Sequence, residues 1–174
     1  MPNTREDAGR SVVDEYLANN VRYAASFGGP HALPPARRLA VVACMDARLD
    51  IFAILGLKEG DAHIVRNGGG AVTEDAIRSL VISQRLLGTR RIMLIHHTDC
   101  GMQTFKDDEF KAELAADTGI RPPWSPESFA DLDDDVRQSI RRIEADPFIP
   151  HKHSIRGFVF DVHTGRLREV SYPK

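Results

Sequence analysis

Two short apolar runs, each ending in metal-binding side chains, constrain this chain more than any other feature. Leu39-Ala40-Val41-Val42-Ala43-Cys44 and Arg91-Ile92-Met93-Leu94-Ile95-His96 lack the alternation of a strand with one wet face. Each therefore predicts a strand covered on both sides in a parallel sheet. Another strand is expected at His63-Ile64-Val65-Arg66-Asn67, and a helix separates it from the 91–96 run. That helix has Thr73 as N-cap, Glu74 and Asp75 in its first turn, Ile77, Leu80, Val81 and Leu87 on one face, and Gly88 as its stop. Strand, helix, strand in that order is a right-handed parallel crossover. Residues 156–162 and 167–170, around the turn His163-Thr164-Gly165, read as a hairpin closing one edge. The fold class is α/β, a mostly parallel sheet flanked by helices.

Outside the sheet, Val12, Val13, Tyr16, Leu17, Val21 and Ala24 recur at helical spacing from Ser11, a plausible N-cap, to about Phe27. The stripe can pack on the chain's own domain or reach over a partner subunit. Gly28-Gly29-Pro30 and Pro34-Pro35 then break any regular element. Lys106–Thr118 and Ser128–Glu144 read as charged amphipathic helices, and the acidic run Asp131 to Asp135 as a solvated face near a helix N-terminus. With 174 residues, residues 1–174 are expected to form one domain that buries about two-thirds of its unfolded surface, residues 1–36 being a helical arm.

The net charge of −2 gives no electrostatic reason to expect nucleic acid. The polar start Met-Pro-Asn-Thr-Arg-Glu-Asp and the lack of a long apolar stretch argue for a cytoplasmic protein without a membrane span. Two cysteines, Cys44 and Cys100, are too few for a disulfide scaffold. By count alone they could be inert thiols or a single disulfide.

Their placement suggests otherwise. Parallel sheets bind ligands beyond the carboxyl ends of their strands, where Cys44 and His97 stand, and His97-x-x-Cys100 can deliver two ligands to one ion. Zinc accepts thiolate at about 2.3 Å and imidazole at about 2.0–2.1 Å, so Cys44, His97 and Cys100 can hold one Zn²⁺ per chain with one position left over. Water there would have its pKa lowered. Two thiolates cancel the ion's formal charge and weaken this effect, which a neighbouring hydrogen-bond acceptor would help offset. Asp46, two residues after Cys44 and two before Arg48, is that acceptor if it pairs bidentately with Arg48. Unpaired, Asp46 is a competent fourth ligand that closes the site. His96 should point the other way from His97 and is read as a core or supporting residue; His31, His63, His151, His153 and His163 are read as surface or structural. Arg66-Asn67-Gly68-Gly69-Gly70 is either a weak phosphate-loop signal or, the preferred reading, a place where backbone passes close to a neighbouring site.

These motifs, Cys44-x-Asp46-x-Arg48, Arg66-Asn67-Gly68-Gly69 and His97-x-x-Cys100-Gly101-Met102, closely resemble those of the beta-class carbonic anhydrases, over a match running from Leu39 to about Val170. The resemblance implies a four-stranded parallel core with an additional edge strand, and zinc-dependent reversible hydration of carbon dioxide to bicarbonate and a proton. It implies zinc on Cys44, His97 and Cys100, with Asp46 and Arg48 as the catalytic dyad and Asp46 a metal ligand only in a closed state. Gly101 would position substrate through its amide, with Arg66, Gly68 and Gly69 lining the neighbourhood. It also implies a homodimer or tetramer, the N-terminal helix embracing the partner.

The chain departs from the family twice. Pro34-Pro35-Ala36 replaces the approach that carries a substrate-holding glutamine in plant-type members, and Val41 stands where members with a second, inhibitory bicarbonate site carry tryptophan. Rival expectations are a hydrolase of carbonyl sulfide or carbon disulfide on the same scaffold, a closed zinc module without activity, and a nucleotide binder resting on the glycine loop alone.

Overall fold

The structure is a computed structural model describing residues 11–173; residues 1–10 of the expected arm lie outside it. The described residues fall into two compact units, one ending at His31 and the other beginning at Ala32. In the first, helix α1 spans Val12–Ala25, and the Ser11 hydroxyl accepts from the Val13 amide at 3.2 Å. It stops two residues short of the expected Phe27 because the Ser26 amide folds back onto the Tyr23 and Ala24 carbonyls. None of its residues is buried, and Val12, Val13, Tyr16, Leu17 and Val21 are all exposed.

The second unit runs β1 (Leu39–Cys44), α2 (Ile51–Leu55), β2 (Ala62–Asn67), α3 (Glu74–Arg85), β3 (Arg91–His97), α4 (Asp107–Thr118), α5 (Leu132–Ala145), β4 (Ile155–Phe160) and β5 (Leu167–Glu169). Its single sheet has the order β2-β1-β3-β4-β5. The first four strands are parallel, and β5 lies antiparallel on β4 as the edge strand. Both faces are covered, as the unbroken apolar runs require. Ala40, Val42, Ile92 and Leu94 pack with Leu80 and with Val136, Ile140 and Ile143 of α5; Val41, Ala43 and Ile95 pack on the other side with Leu49, Ile51 and Phe160. The chain goes from β1 to β2 and then crosses β1 to reach β3. The ends of β1 and β3 are therefore the switch point at which open α/β sheets place their ligands.

Further elements differ from expectation, α3 among them, since it ends at Arg85 with Leu87 outside it, short of the expected stop at Gly88. α2 has no counterpart in the sequence reading, because five residues are too few to show helical periodicity; its caps are the Asp50 carboxylate, accepting from Ala53 N at 3.1 Å, and the left-handed Gly56 at φ 64°. α5 begins at Leu132, not Ser128, because Asp131 caps it through the Asp134 amide at 2.8 Å while the Ser128 amide is taken by Asp107 at 2.8 Å. The acidic run is not merely a solvated face. Asp133 pairs with Arg168, Asp134 with Arg137, and Asp135 with buried His96. No helix among the described residues is long and apolar enough to cross a membrane.

Candidate metal centre

Cys44 is the last residue of β1 and His97 the last of β3. Cys100 follows after a turn through Thr98 and Asp99, the latter in the left-handed region at φ 57°. The Cys44 and Cys100 sulfurs and a His97 ring nitrogen lie within 4.8 Å of one another, and all three residues are buried. Neither cysteine is in a disulfide. His97 Nδ1 donates to the Thr98 carbonyl at 2.9 Å, which leaves Nε2 as the nitrogen with a free lone pair. That Nε2 is buried and has no hydrogen-bond partner.

An orphaned buried acceptor is costly, and here it faces two sulfurs. Burial raises both thiols, but the Cys100 S–H donates to Cys44 and draws the Cys44 thiol down to about 4, with His97 adding to the effect. Cys100, holding the shared proton, is pushed well up. Burial would lower His97, yet the Cys44 thiolate beside it carries its pKa above the ordinary value. The two sulfurs and the imidazole thus perturb one another's protonation, as donor groups facing one small volume must. Two thiolates and one imidazole form a donor set that fits zinc, and Nδ1 held by a backbone carbonyl fixes the ligating tautomer.

Asp46 and Arg48 form the expected pair. Arg48 Nε donates to Asp46 Oδ1 at 3.0 Å and Nη2 to Oδ2 at 2.7 Å, while the Arg48 amide also reaches Oδ1 at 2.9 Å. These bonds hold the Asp46 carboxyl far below the usual carboxylate range and raise Arg48 in return. Asp46 Oδ2 lies 3.7 Å from His97 Nε2, beside the donor cluster.

The Arg66 guanidinium donates to the carbonyls of Cys44 (2.9 Å) and Asp46 (2.7 Å), so it braces the turn between them. Gly68–Gly70 forms one tight turn, and the close-approach reading of it is the one the geometry matches. A Cβ on Gly70, which has φ +72°, would sit 2.8 Å from the Cys44 amide nitrogen and 3.2 Å from the Ile95 carbonyl oxygen. Gly69 lies against Met102 and Phe129, Gly68 near the Met102 sulfur, and Gly101 is exposed with open space where a side chain would start.

His96 is fully buried on the opposite face from His97, with Nε2 donating to Asp135 Oδ2 at 2.6 Å. His63 is half-buried against the Ser83 hydroxyl at 2.8 Å. The sequence reading missed Asp99, which meets Arg48 through both carboxylate and carbonyl; its signal was an Asp, a residue that tolerates left-handed backbone, inside a His-x-x-Cys turn. A groove lined by Ile77, Val81, Ile82, Trp124 and Phe148 among others includes none of the three donors.

A carbonic anhydrase family profile matches residues 39–121, which contain all three donors and the Asp46–Arg48 pair. The chain is 63% identical over 161 residues to beta-carbonic anhydrase 1 of Mycobacterium tuberculosis, covering 92% of this chain and 99% of that one. It is 35% identical over 182 residues to a carbon disulfide hydrolase of Saccharolobus solfataricus, covering 90% and 88%. The crystal structure of a Streptococcus mutans carbonic anhydrase superposes with a TM-score of 0.87 at 44% identity, covering 94% of this chain and 99% of that one. A parallel sheet with Cys, His and Cys meeting at its switch point, in a chain this similar to such relatives, makes this protein a member of the beta-carbonic anhydrase family.

Proposed function

We propose that the chain catalyses the reversible hydration of carbon dioxide to bicarbonate and a proton, with one zinc per chain on Cys44, His97 and Cys100. The observation that carries this reading is the buried, unpartnered His97 Nε2 facing two sulfurs, next to a carboxylate already committed to Arg48. Zinc in that place supplies Lewis acidity, which makes water nucleophilic near neutral pH. Asp46 accepts a hydrogen bond from the reacting water, which orients that water and directs its proton towards solvent and buffer. Arg48 keeps Asp46 ionised and off the donor cluster, as a closed, inactive module would not require. The exposed Gly101 amide orients the substrate oxygen, and Arg66, Gly68 and Gly69 keep the Cys44–Asp46 turn and its surroundings in register.

Stopped-flow carbon dioxide hydration, with and without a zinc chelator, tests the reading. Activity should disappear with the metal and return when zinc is restored. Hydration that survives metal removal, or a zinc-loaded protein that leaves carbon dioxide untouched and hydrolyses carbon disulfide instead, would overturn it.

The catalytic unit we infer is an oligomer, a homodimer or tetramer, in the cytoplasm. The exposed stripe of α1 supports an arm over residues 1–36 that packs on a partner subunit. Two neighbouring thiols that must stay reduced to bind metal suit a reducing compartment.

A further inference from the structure

Arg48 is held from two directions. Asp46 takes the Nε–Nη2 edge of its guanidinium. Asp99 takes the other, with its carboxylate Oδ2 accepting from Nη1 at 2.9 Å and its carbonyl oxygen accepting from Nη2 at 2.9 Å. Asp99 sits between His97 and Cys100 in a left-handed conformation at φ 57°, which few side chains other than those of Asp and Asn accept. The turn that brings the two donors together therefore also brings a carbonyl and a carboxylate to the dyad.

We propose that Asp99 is a positioning residue that anchors Arg48 to the metal-ligand turn and so keeps Asp46 away from the fourth coordination position. The proposal rests on the reading of Asp46 and Arg48 given above. Geometry gives it force. Asp46 Oδ2 is only 3.7 Å from His97 Nε2, so a small swing of the carboxylate carries it onto the donor cluster. Arg48 can prevent that swing only if something other than Asp46 fixes the guanidinium. Were Asp46 its sole partner, the pair could move together. With Asp99 tied to the turn that carries His97 and Cys100, the guanidinium is fixed relative to the donors themselves. The anchor also couples the loop after β1 to the loop after β3.

Asp99→Gly is the informative variant, since it keeps the left-handed backbone and the carbonyl and removes only the carboxylate. Asp99→Asn retains a side-chain oxygen for Nη1. Wild type, both variants and Arg48→Ala are loaded with zinc or cobalt and compared by metal content, kcat/KM for hydration, azide affinity and the visible spectrum of bound cobalt. If Asp46 occupies the metal position in a fraction of molecules, anything that needs that position loses affinity by the same fraction. Asp99→Gly should keep its metal, lose about tenfold in kcat/KM and in azide affinity alike, and shift its cobalt spectrum towards that of Arg48→Ala. Asp99→Asn should recover most of the loss.

Wild-type azide affinity and cobalt spectrum in Asp99→Gly would overturn the proposal. So would activity lost only in proportion to lost metal, with azide affinity unchanged, since that is the mark of a merely structural residue. The failure of the underlying reading looks different. Arg48→Ala would then behave as wild type, or the zinc-loaded wild type would hydrate no carbon dioxide, in which case the azide and cobalt comparisons still decide what Asp99 does.

Discussion

The Nδ1 of His97 is spent on the Thr98 carbonyl, neither cysteine is in a disulfide, and what is left is one bare nitrogen, His97 Nε2, among sulfurs. Each of these side chains is unremarkable singly, since strand-end cysteines and buried histidines are common core residues. Together they leave a buried acceptor that no protein group satisfies. Two substitutions separate holding the metal from using it. Cys44→Ser should lose both zinc and activity. Arg48→Ala should keep about one zinc per chain yet lose on the order of 100-fold or more in kcat/KM, because Asp46 is freed to take the open position. Metal analysis and stopped-flow hydration on the same samples distinguish the two outcomes.

Elements matter through how closely they approach. The turn at Gly68–Gly70 runs against the ends of β1 and β3, and Gly70 meets the Cys44 amide so closely that a methyl group has no room. Gly70→Ala combines left-handed strain with overpacking and should destabilise the protein by about 3 kcal/mol, read as a fall in the denaturant midpoint, with metal affinity falling too.

Asp107 opens α4 and accepts from the amides of Glu127 and Ser128 and from the Ser125 hydroxyl, so it pins the segment that enters α5. Burial raises its carboxyl, but the Ser128, Ser125 and Glu127 bonds outweigh this and set it below the ordinary value. A depressed folded pKa means that its stabilisation is complete above the unfolded value of about 3.9 and is lost as pH falls through the lower folded value. Asp107→Asn should therefore cost about 1–3 kcal/mol at pH 7. The gap to wild type should close in acid, as thermal melts from pH 7 down to 3 would reveal. A gap that persists unchanged at pH 3 would count against this role.

At the scale of the whole molecule, α1 is the element that its own unit leaves least satisfied. Its apolar residues Tyr16, Leu17 and Val21 are 62%, 61% and 70% exposed, and apolar side chains gathered on one exposed face mark an interaction site. The oligomer proposed above accounts for it. Leu17→Glu with Val21→Glu should shift the sedimenting species to lower mass by sedimentation velocity, while each chain keeps its zinc. An unchanged mass would remove α1 from the interface.

Periodicity and caps were enough for the sheet, because strands buried on both faces carry unbroken apolar runs and α3 carries its N-cap Thr73 in the chain itself, though its end at Arg85 falls short of the expected Gly88. Motif spacing was enough to nominate Cys44, His97, Cys100, Asp46 and Arg48, since metal-binding donors at two strand ends have few other uses. The five-residue α2, the start of α5 and the tasks of the acidic run could not be read locally, because a competing cap and distant partners decide them. Asp133 answers to Arg168, and Asp135 to a histidine on β3. Only tertiary structure showed that His97 Nε2 is left without a partner, that Gly70 touches the Cys44 amide, and that Asp99 grips Arg48. Each of these depends on how far apart two segments come to rest, and that distance is set by the packing of the sheet, which no single stretch of sequence contains.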